Sequence, residues 1–253
     1  MTAAERHLSI VDLLESQGKV LVSDLSARFG VSEMTVRRDL ETLEQAGALS
    51  RVHGGAVPSQ SQAYEPPFAM RAARNLGAKE RIGAATARLL HEGETVVLDA
   101  GTTTLAVARA LQGRRNLRIF ALSLHIAALL ADEQGLTTMI GGGEIRAGER
   151  SLIGSLAERS FADLIFDTFV LTVGGVDVRG GVTEYNLDDA AVKRAAFASA
   201  RRRIAVADAS KLGRTAFARV CTIDELDVLV TDHGAPADAL DEFRAAGVEV
   251  VVA

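Results

Sequence analysis

From about residue 78 onward, short apolar runs rich in β-branched residues alternate with alanine-rich helical patterns. This alternation restricts the possible folds more than any other feature of the chain. Continuous apolar strands are typical of a parallel sheet that is covered by helices on both faces. The sequence therefore predicts an α/β domain with a mostly parallel sheet. Its predicted strands are 95–99, 118–122, 137–140, 168–173, 204–207, 228–231 and 248–252. The predicted helices between them include 103–111, 126–131, 187–200 and 238–246.

The amino-terminal part has a different pattern, in which short helices follow one another. A helix over 6–16 is followed by a second over 22–29, which Ser23 is expected to cap and Gly30 to end. A third helix is expected to begin after Ser32, a second capping candidate. Two short helices joined by a tight glycine-containing turn indicate a helix-turn-helix motif, and the first helix closes a three-helix core.

The second helix of such a motif places its amino-terminal end in the major groove of DNA. Met34, Val36 and Leu40 are available for packing. That leaves an outward set of Glu33, Thr35, Arg37, Arg38 and Asp39. Arginine and threonine at these positions suit phosphates, guanine edges and thymine methyl groups. The alternative is that the two arginines only form a solvated helix face.

A short hairpin is predicted after Gly47, since two extended runs follow with Arg51 and His53 between them. They resemble a β-wing that contacts the DNA backbone or minor groove. The candidate DNA-binding residues are therefore Ser32, Glu33, Thr35, Arg37, Arg38, Arg28, Arg51 and His53. A polar, proline-containing stretch then predicts a linker. We expect a winged helix-turn-helix domain over 1–57, a linker over 58–77 and an α/β effector and oligomerisation domain over 78–253.

Charge and composition limit how the chain contacts DNA. With 28 Lys+Arg against 33 Asp+Glu the formal net charge is −5, which excludes a basic coat. Residues 1–57 carry 6 Lys+Arg and 8 Asp+Glu, so a few arginines must supply the local positive potential. The single Cys221 excludes an intrachain disulfide framework. The apolar run 119–131 is too short to span a bilayer, and we expect a cytoplasmic protein without membrane contact.

Polar motifs follow the predicted strands, at the edge where parallel sheets bind ligands. The loop from Asp99 to Thr103 opens a helix and presents backbone N–H groups suited to a phosphate, although a simple capped turn is the alternative. No Gly-x-Gly-x-x-Gly motif or Walker lysine occurs, which disfavours dinucleotides and nucleoside triphosphates. The five histidines show no metal-ligand spacing. We therefore expect no cofactor, no metal and no catalytic residue.

Two segments carry a family resemblance. Val31-Ser-Glu-Met-Thr-Val-Arg-Arg-Asp-Leu40 and Arg51-Val-His-Gly-Gly-Ala56 resemble the recognition helix and wing of the DeoR family of bacterial transcriptional regulators. The resemblance covers nearly the whole chain. It is similar to the branch of glycerol-3-phosphate regulon repressors, and other sugar-phosphate repressors fit equally well. The resemblance implies an effector domain like ribose-5-phosphate isomerase and coenzyme A transferases, with phosphorylated sugars or polyols as effectors.

The resemblance also implies where the effector binds. The expected effector-binding residues are Asp99, Gly101, Thr102, Thr103, Ser123, His125, Gly142, Gly143, Asp177, Glu184, Lys193 and Lys211. The chain departs from the family after the second strand, where Val-Thr-Asn is common and Ala121-Leu-Ser123-Leu-His125 stands here. Ser123 retains a donor for a phosphate. His125 either substitutes for the missing asparagine or only begins a helix.

Together these features predict a repressor of a carbohydrate or polyol catabolic operon. We expect it to bind double-stranded operator DNA as a homo-oligomer, a dimer or tetramer, and to be released by a phosphorylated sugar effector. The alternative is a sugar-phosphate isomerase-like enzyme, with Asp177, Glu184 and Lys193 as its acid–base candidates. A third alternative is a protein-interaction module with a degenerate helix-turn-helix.

Overall fold

The computed structural model describes residues 1–45, 47–59 and 62–253. The chain divides into two compact units, residues 1–66 and residues 67–253, which we call the amino-terminal and carboxy-terminal units. The predicted linker 58–77 crosses this division, and its residues 60 and 61 lie outside the described residues. Its second half contains a helix over Phe68–Ala73. Residues 68–73 follow a proline pair, and such a position favours the start of a helix. The linker prediction did not include this helix.

The amino-terminal unit is the predicted three-helix core with the predicted wing, to which a third, unpredicted strand adds to form a small antiparallel sheet. Its elements are α1 (Ala3–Gln17), β1 (Val20–Leu21), α2 (Val22–Phe29), α3 (Glu33–Gln45), β2 (Leu49–Val52) and β3 (Gly55–Pro58). The three strands pair in the order β1-β3-β2, and β2 and β3 form the predicted wing. The three helices bury one apolar face each, made of Ile10, Leu14, Leu25, Val36, Leu40 and Leu43.

Helix boundaries in this unit follow local chemistry, with one correction. Gly30 ends α2 in a left-handed conformation at φ 64°, and Ser32 caps α3 by accepting a hydrogen bond from the Thr35 amide at 3.2 Å. Ser23 does not cap α2. That helix already begins at Val22, directly after a residue paired in β1, and the Ser23 hydroxyl instead donates to Asp24.

The carboxy-terminal unit is built on a seven-stranded, wholly parallel sheet in the order β15-β14-β12-β9-β4-β5-β6. These strands are β4 (Thr95–Leu98), β5 (Leu117–Ala121), β6 (Leu136–Ile140), β9 (Phe166–Thr172), β12 (Ala200–Val206), β14 (Val228–Thr231) and β15 (Glu249–Val252). All seven predicted strands are present. The α/β fold class that the sequence predicted is therefore confirmed.

Helices cover the sheet on both faces, and in the strands other than the outermost β6 alternate residues contribute to two separate cores. In β4, for example, Val96 and Leu98 belong to one core and Val97 to the other. The helices of this unit are α4 (Phe68–Ala73), α5 (Leu76–Arg88), α6 (Thr102–Ala110), α7 (Leu124–Leu130), α8 (Ser155–Arg159), α9 (Leu187–Ser199) and α10 (Ala237–Ala245).

Short strands outside the main sheet were not predicted. β7 (Glu144–Ile145) pairs with β8 (Leu152–Ile153), and β10 (Gly175–Asp177), β11 (Gly181–Glu184) and β13 (Ala218–Cys221) form an antiparallel sheet. These strands are two to four residues long, and those of the hairpin begin with glycine, so no alternation of apolar and polar residues marks them.

The strand order fixes where a ligand is expected. The chain runs from β4 outward through β5 to β6, and then returns to the other side of β4 to add β9, β12, β14 and β15. The direction of winding therefore reverses between β4 and β9. In open parallel sheets, ligands bind outside the carboxyl ends of the strands at such a reversal. We call the carboxyl ends of β12, β9, β4 and β5 the ligand edge.

Candidate functional site

The first turns of α3 expose polar side chains. Glu33, Arg37 and Arg38 are exposed, and Thr35 is half-buried, with its hydroxyl 3.0 Å from that of Ser32. Met34, which we expected to pack inward, is 59 % exposed. It precedes the buried Val36 by two residues, and positions two apart do not share a helix face.

Asp39 is the clearest correction in this helix, because it was expected to face outward and is only 6 % exposed. It lies three residues after Val36 and therefore shares the core-facing side. Its carboxylate accepts hydrogen bonds from Arg6 Nε at 2.7 Å and Nη2 at 3.1 Å, and His7 Nε2 lies 2.9 Å away. Although burial opposes it, hydrogen bonds from Arg6 and His7 hold the pKa of Asp39 below its ordinary value. Arg6 and His7 were missed in the sequence, since nothing marks which carboxylate α1 meets.

Two other candidate arginines are held by exposed carboxylates. Arg37 Nη2 donates to Glu33 at 3.0 Å, one helical turn away, and Arg51 Nε donates to Glu44 at 2.6 Å. Exposed pairs of this kind contribute little stability. Because such pairs are weak, another anion can replace either carboxylate at small cost.

The remaining candidates of the amino-terminal unit are also exposed. Arg28 lies in the last turn of α2, and His53 lies in the turn that joins β2 to β3. Gly54 completes that turn at φ 74°, a conformation that side chains other than glycine disfavour. The structure thus places every candidate DNA-binding side chain on α2, α3 or the wing.

At the ligand edge, one buried lysine joins two carboxylates. Lys193 Nζ, from α9, lies 2.8 Å from Asp99 Oδ2 and 2.5 Å from Glu184 Oε2, and it donates to the Thr172 carbonyl at 3.0 Å. Asp99 follows β4 and also accepts from the Thr172 amide and hydroxyl, both at 2.9 Å. The predicted residues Asp99, Glu184 and Lys193 are therefore brought together, and Thr172 is a fourth member that the sequence did not reveal.

This cluster holds one ammonium group and two carboxylates, and burial raises the pKa of Asp99 above its ordinary value. Burial lowers the pKa of Lys193, but the Asp99 and Glu184 carboxylates outweigh it and raise that pKa above its ordinary value. Although burial opposes it, the Lys193 ammonium lowers the pKa of Glu184. Three acceptors take up the three N–H groups of Lys193, so this lysine stays charged and is committed to the protein itself.

The loop after β4 packs tightly on the end of β9. A Cβ on Gly101 would lie 2.6 Å from Thr172 Oγ1, so only glycine fits. Gly101 supplies no side-chain cap to α6, whose first turn contains the buried Thr102 and Thr103. The Thr104 hydroxyl is engaged locally and donates to the Asp99 carbonyl at 2.7 Å. The start of α6 thus presents backbone N–H groups at the ligand edge, where a helix favours an anion.

Two further candidates follow β5. The Ser123 hydroxyl caps α7 by accepting from the His125 amide at 3.2 Å. The His125 ring stacks on Phe68 of α4, with centroids 4.4 Å apart and an angle of 14° between the planes. Burial and the neighbouring Arg150 lower the pKa of His125. The histidine therefore both begins a helix and contacts the segment that enters this unit.

The candidates after β6 and in the small sheet lie farther from the cluster. Gly142 donates its amide to Ser160 at 3.3 Å, and Gly143, at φ 126°, follows the outermost strand. Asp177 accepts from the amides of Arg179 at 2.9 Å and Gly180 at 2.6 Å, and so closes the β10–β11 turn. The strand register puts this turn at the opposite end of the hairpin from Glu184, so the structure does not bring Asp177 to the cluster.

Lys211 lies after β12 on the other side of the reversal. Its Nζ donates to the Tyr185 hydroxyl at 3.0 Å, and that hydroxyl donates to the Gly174 carbonyl at 3.0 Å. The Tyr185 amide in turn donates to Glu184 at 2.7 Å. Hydrogen bonds therefore connect Lys211 to the Lys193 cluster through Tyr185.

Helix α4 and the start of α5 extend along the ligand edge. Phe68 contacts the loop after β5, whereas the Asn75 side chain donates to Asp208, after β12, at 3.1 Å. Strands β9 and β4 lie between β12 and β5 in the sheet. Residues 68–79 therefore cross the carboxyl ends of these four strands, and we call residues 68–79 the strap. Within the strap, Lys79 is 4 % exposed and donates to the carbonyls of Arg71 and Arg74.

Nothing in the sequence marks Lys79, because a lysine in an alanine-rich helix normally faces solvent. Burial lowers the pKa of Lys79 to about 8, and the Asp208 carboxylate only partly offsets this. Although burial raises it, the Ser210 hydroxyl and the ammonium groups of Lys211 and Lys79 hold the pKa of Asp208 below its ordinary value.

The described residues contain neither a metal-binding cluster nor a membrane-spanning helix. No group of three or more His, Cys, Asp and Glu side chains in residues 1–45, 47–59 and 62–253 is arranged to hold a metal ion. Over the same residues, no helix combines the length and the apolar character needed to cross a membrane.

Known proteins match both units. Residues 6–62 match the DeoR-like helix-turn-helix domain, and residues 52–233 match the DeoR C terminal sensor domain. The HTH-type transcriptional regulator GlpR of Haloferax volcanii is 36% identical over 99% of this chain and 98% of its own length. The putative aga operon transcriptional repressor of Escherichia coli O157:H7 is 35% identical over 98% and 93%.

Similarity to the glycerol-3-phosphate regulon repressor of Escherichia coli K12 is of the same order, with 33% identity over 95% of each chain. Among solved structures, ribose 5-phosphate isomerase A from Methanocaldococcus jannaschii covers 54% of each chain with 12% identity and a TM-score of 0.42. With both domains matched and relatives aligned over almost its full length, the chain belongs to the DeoR family of transcriptional regulators.

Proposed function

We propose that this regulator represses a carbohydrate or polyol catabolic operon and leaves its operator when a phosphorylated sugar or polyol binds at the ligand edge. The observation that carries the DNA-binding half is the exposure of Arg37 and Arg38 on the second helix of a helix-turn-helix with a wing. The relatives named as repressors of the aga operon and of the glycerol-3-phosphate regulon support the choice of operon class.

In this proposal, α3 reads bases and the wing adds backbone contacts. Arg37 and Arg38 lie where guanine edges or phosphates are reached, and Ser32, Glu33 and Thr35 lie at the end of α3 that enters the groove. Arg28, Arg51 and His53 add contacts to the backbone. An oligomer carries two recognition helices, which combine their binding energy when each binds a half-site. We therefore propose that the functional species is a dimer or tetramer.

Release follows from differential binding. A ligand shifts the protein away from DNA only if it binds better to a conformation or assembly with poorer DNA geometry. The ligand edge suits a phosphate because the α6 amino terminus, Lys79 and Lys211 all bring positive charge there. Asp99, Glu184 and Lys193 hold the loop and hairpin that frame it.

The isomerase alternative has no comparable support. Of its acid–base candidates, Lys193 and Glu184 neutralise each other in a buried pair, and Asp177 closes a turn at the other end of the hairpin. A general base must reach the proton that it removes. In this arrangement Lys193 and Glu184 are bonded to each other, and Asp177 is bonded to backbone amides.

The DNA-binding half is tested by substitution of the recognition helix. Duplexes are first selected from a random pool by the wild-type protein, and the affinities of Arg37→Ala and Arg38→Ala for the selected site are then measured by fluorescence anisotropy. We expect each loss to be about 10- to 100-fold, as for a bidentate base contact. Arg109→Ala, an exposed arginine on α6, is the matched control and should bind normally. Wild-type affinity in both recognition-helix variants would reject α3 as the DNA-reading element.

The sensing half is tested with a panel of phosphorylated sugars and polyols. A ligand should raise the melting temperature of the wild-type protein and lower its affinity for the selected duplex. The Arg37→Ala variant should keep the thermal shift, because its substitution lies in the other unit. A panel in which no compound shifts either property would refute the proposed effector class.

A further inference from the structure

The outer edge of β6 is the least protected part of the main sheet. In the described part of the chain, β6 pairs with β5 alone, and Leu136–Ile140 include no charged residue and no proline. The register between the two strands runs without a bulge. Charged residues, prolines and bulges keep the edge strands of monomeric proteins from pairing. The strand at the other edge, β15, carries the exposed Glu249. An edge without these devices is expected to be paired in the functional protein.

Apolar side chains are exposed on β6 and beside its end. Of the described side chains of this strand, only Leu136 packs against one of the two cores. Met139 is 38 % exposed and Ile140 is 46 % exposed. Leu156 extends this surface, since it is 59 % exposed and a Cβ on Gly142, two residues after the strand, would lie 3.6 Å from its Cβ. Exposed apolar side chains that lie together mark an interaction surface.

The outward main-chain groups of β6 follow from its pairing with β5. The Gly135 carbonyl accepts a hydrogen bond from the Asn116 amide at 2.7 Å, so Gly135 directs its main-chain groups to the β5 side. Successive residues of a strand direct these groups to opposite edges. The even-numbered residues therefore direct theirs away from the sheet, and these are Leu136, Thr138 and Ile140. The described residues provide no acceptor for the amides of Thr138 and Ile140.

A second copy of the chain fits this edge under twofold symmetry. In an antiparallel register centred on Thr138, the two Thr138 residues exchange both of their main-chain hydrogen bonds. Each Ile140 amide then donates to the Leu136 carbonyl of the second copy, so the register uses both free amides. The same symmetry places Ile140 beside Leu136, and Met139 beside Thr137, of the second copy. All of these cross-strand pairs are uncharged.

Charge favours a second copy over the strand of an unrelated protein. Residues 134–143 contain no Lys, Arg, Asp or Glu. Antiparallel pairing of two copies therefore brings no like charges together along this stretch. For a strand of another protein, the same stretch offers no charged side chain that would select it. A second copy, by contrast, supplies a strand of the same length in a register that symmetry fixes.

We propose that β6 pairs with β6 of a second copy, antiparallel and centred on Thr138, so that the two parallel sheets become one continuous sheet. The inference rests on the proposed function in one respect, because binding to two half-sites is what requires two copies in one assembly. The contact lies wholly in the carboxy-terminal unit. It gives a defined surface to the oligomerisation that was expected from the sequence only for residues 78–253 as a whole.

Sedimentation velocity of the full chain tests the interface. Thr138→Pro removes an outward amide without breaking a hydrogen bond to β5, so it should fold and weaken self-association at least about 10-fold. Thr138→Val is the matched control, because it keeps the amide and, like proline, loses the hydroxyl that donates to the Leu130 carbonyl. This control should associate as the wild type does. A monomeric wild-type protein, or unchanged association of Thr138→Pro, overturns the proposal.

Cysteine cross-linking tests the register and does not depend on the proline variant. In the proposed pairing the two Cα atoms of residue 138 lie about 5.5 Å apart, within the range of a disulfide, whereas those of residue 137 are offset by two residues and lie beyond about 7 Å. Thr138→Cys should therefore form a covalent dimer on oxidation with copper phenanthroline. Thr137→Cys, although more exposed, should not. Wild type, with its buried Cys221, gives the background. Equal cross-linking at both positions, or none at position 138, overturns the proposal.

Failure of this interface and failure of the proposed function give different results. A wild-type protein that binds the selected duplex as an oligomer, while Thr138→Pro associates normally, leaves the function standing and removes only the interface. A monomeric wild-type protein would leave β6 to a strand of another protein. A wild-type protein that binds no duplex removes the proposed function, whereas sedimentation and cross-linking still report on β6.

Discussion

Asp39 shows how a single residue of a recognition helix can serve the fold instead of the DNA. The segment Val31–Leu40 matches the family's recognition helix, yet Asp39 turns away from the exposed arginines beside it. Its bidentate contact with Arg6 joins the recognition helix to α1. The orientation of Arg37 and Arg38 therefore depends on a neighbouring residue that is buried against α1.

We expect Asp39→Asn to lower the melting temperature of the amino-terminal unit by about 5 °C or more, because it leaves a buried guanidinium without its anion. Glu41→Gln, on an exposed face of the same helix, is the matched control and should change the melting temperature little. Calorimetry of the full chain measures both. Equal melting temperatures for the two variants would mean that the buried pair contributes nothing to α3.

The contribution of Asp39 should also depend on pH, with a defined sign. Its pKa is lower in the folded protein, so the carboxylate stabilises the fold fully above its unfolded pKa of about 3.9. That stabilisation is lost as the pH falls through the folded pKa. The difference in melting temperature between wild type and Asp39→Asn should thus be constant from pH 5 to pH 7, because the unfolded pKa of about 4 lies below that range. The difference should shrink as the pH falls below about 4.

At the scale of elements, close helix packing holds α5 against α6. A Cβ on Gly83 would meet the Ala106 carbonyl oxygen at 2.6 Å, whereas one on Gly77 of the same helix would meet only the end of the Arg81 side chain at 3.7 Å. Gly83→Ala should therefore destabilise the carboxy-terminal unit by about 1–3 kcal/mol, through forced separation of the helices. Gly77→Ala should stabilise it by about 0.5 kcal/mol, because alanine is the better helix former. Urea unfolding of both variants measures the difference, and a neutral Gly83→Ala would show that α5 moves freely.

The sequence predicts the main elements because each has a repeated pattern. The seven strands of the parallel sheet are continuous apolar runs, and the two helices of the helix-turn-helix carry an apolar stripe bounded by a glycine and a capping serine. Those signals are local, so they survive without a structure. The hairpin β10–β11 has no such pattern, and its role in placing Glu184 appears only once the chain folds.

Site residues divide in the same way. Asp99 and Lys193 could be named from their motifs, but which carboxylate each lysine meets depends on contacts between distant parts of the chain. Lys79 was missed because it packs on α4 and the residues after it, which the sequence predicts as part of a linker. Long-range electrostatics and burial are properties of the fold, and a one-dimensional pattern does not contain them.

At the scale of the whole molecule, the strap decides where the sensor begins. The carboxy-terminal unit starts at residue 67, and the strap is tied down by the Phe68–His125 stack, the Arg71–Glu149 ion pair and the Asn75–Asp208 hydrogen bond. A fragment of residues 67–253 retains all three contacts. A fragment of residues 78–253, the domain expected from the sequence, has none of them and leaves Lys79 without its two carbonyl acceptors.

We therefore expect the 67–253 fragment to unfold cooperatively and the 78–253 fragment to melt at a clearly lower temperature. The physical reason is that the shorter fragment loses the three contacts and both carbonyl acceptors of Lys79, and the loss of hydrogen bonds to a charged group typically costs a few kcal/mol. Differential scanning calorimetry of the two fragments compares them directly. If both fragments melt together, the strap is only a tether between the units, and the ligand edge is complete without it.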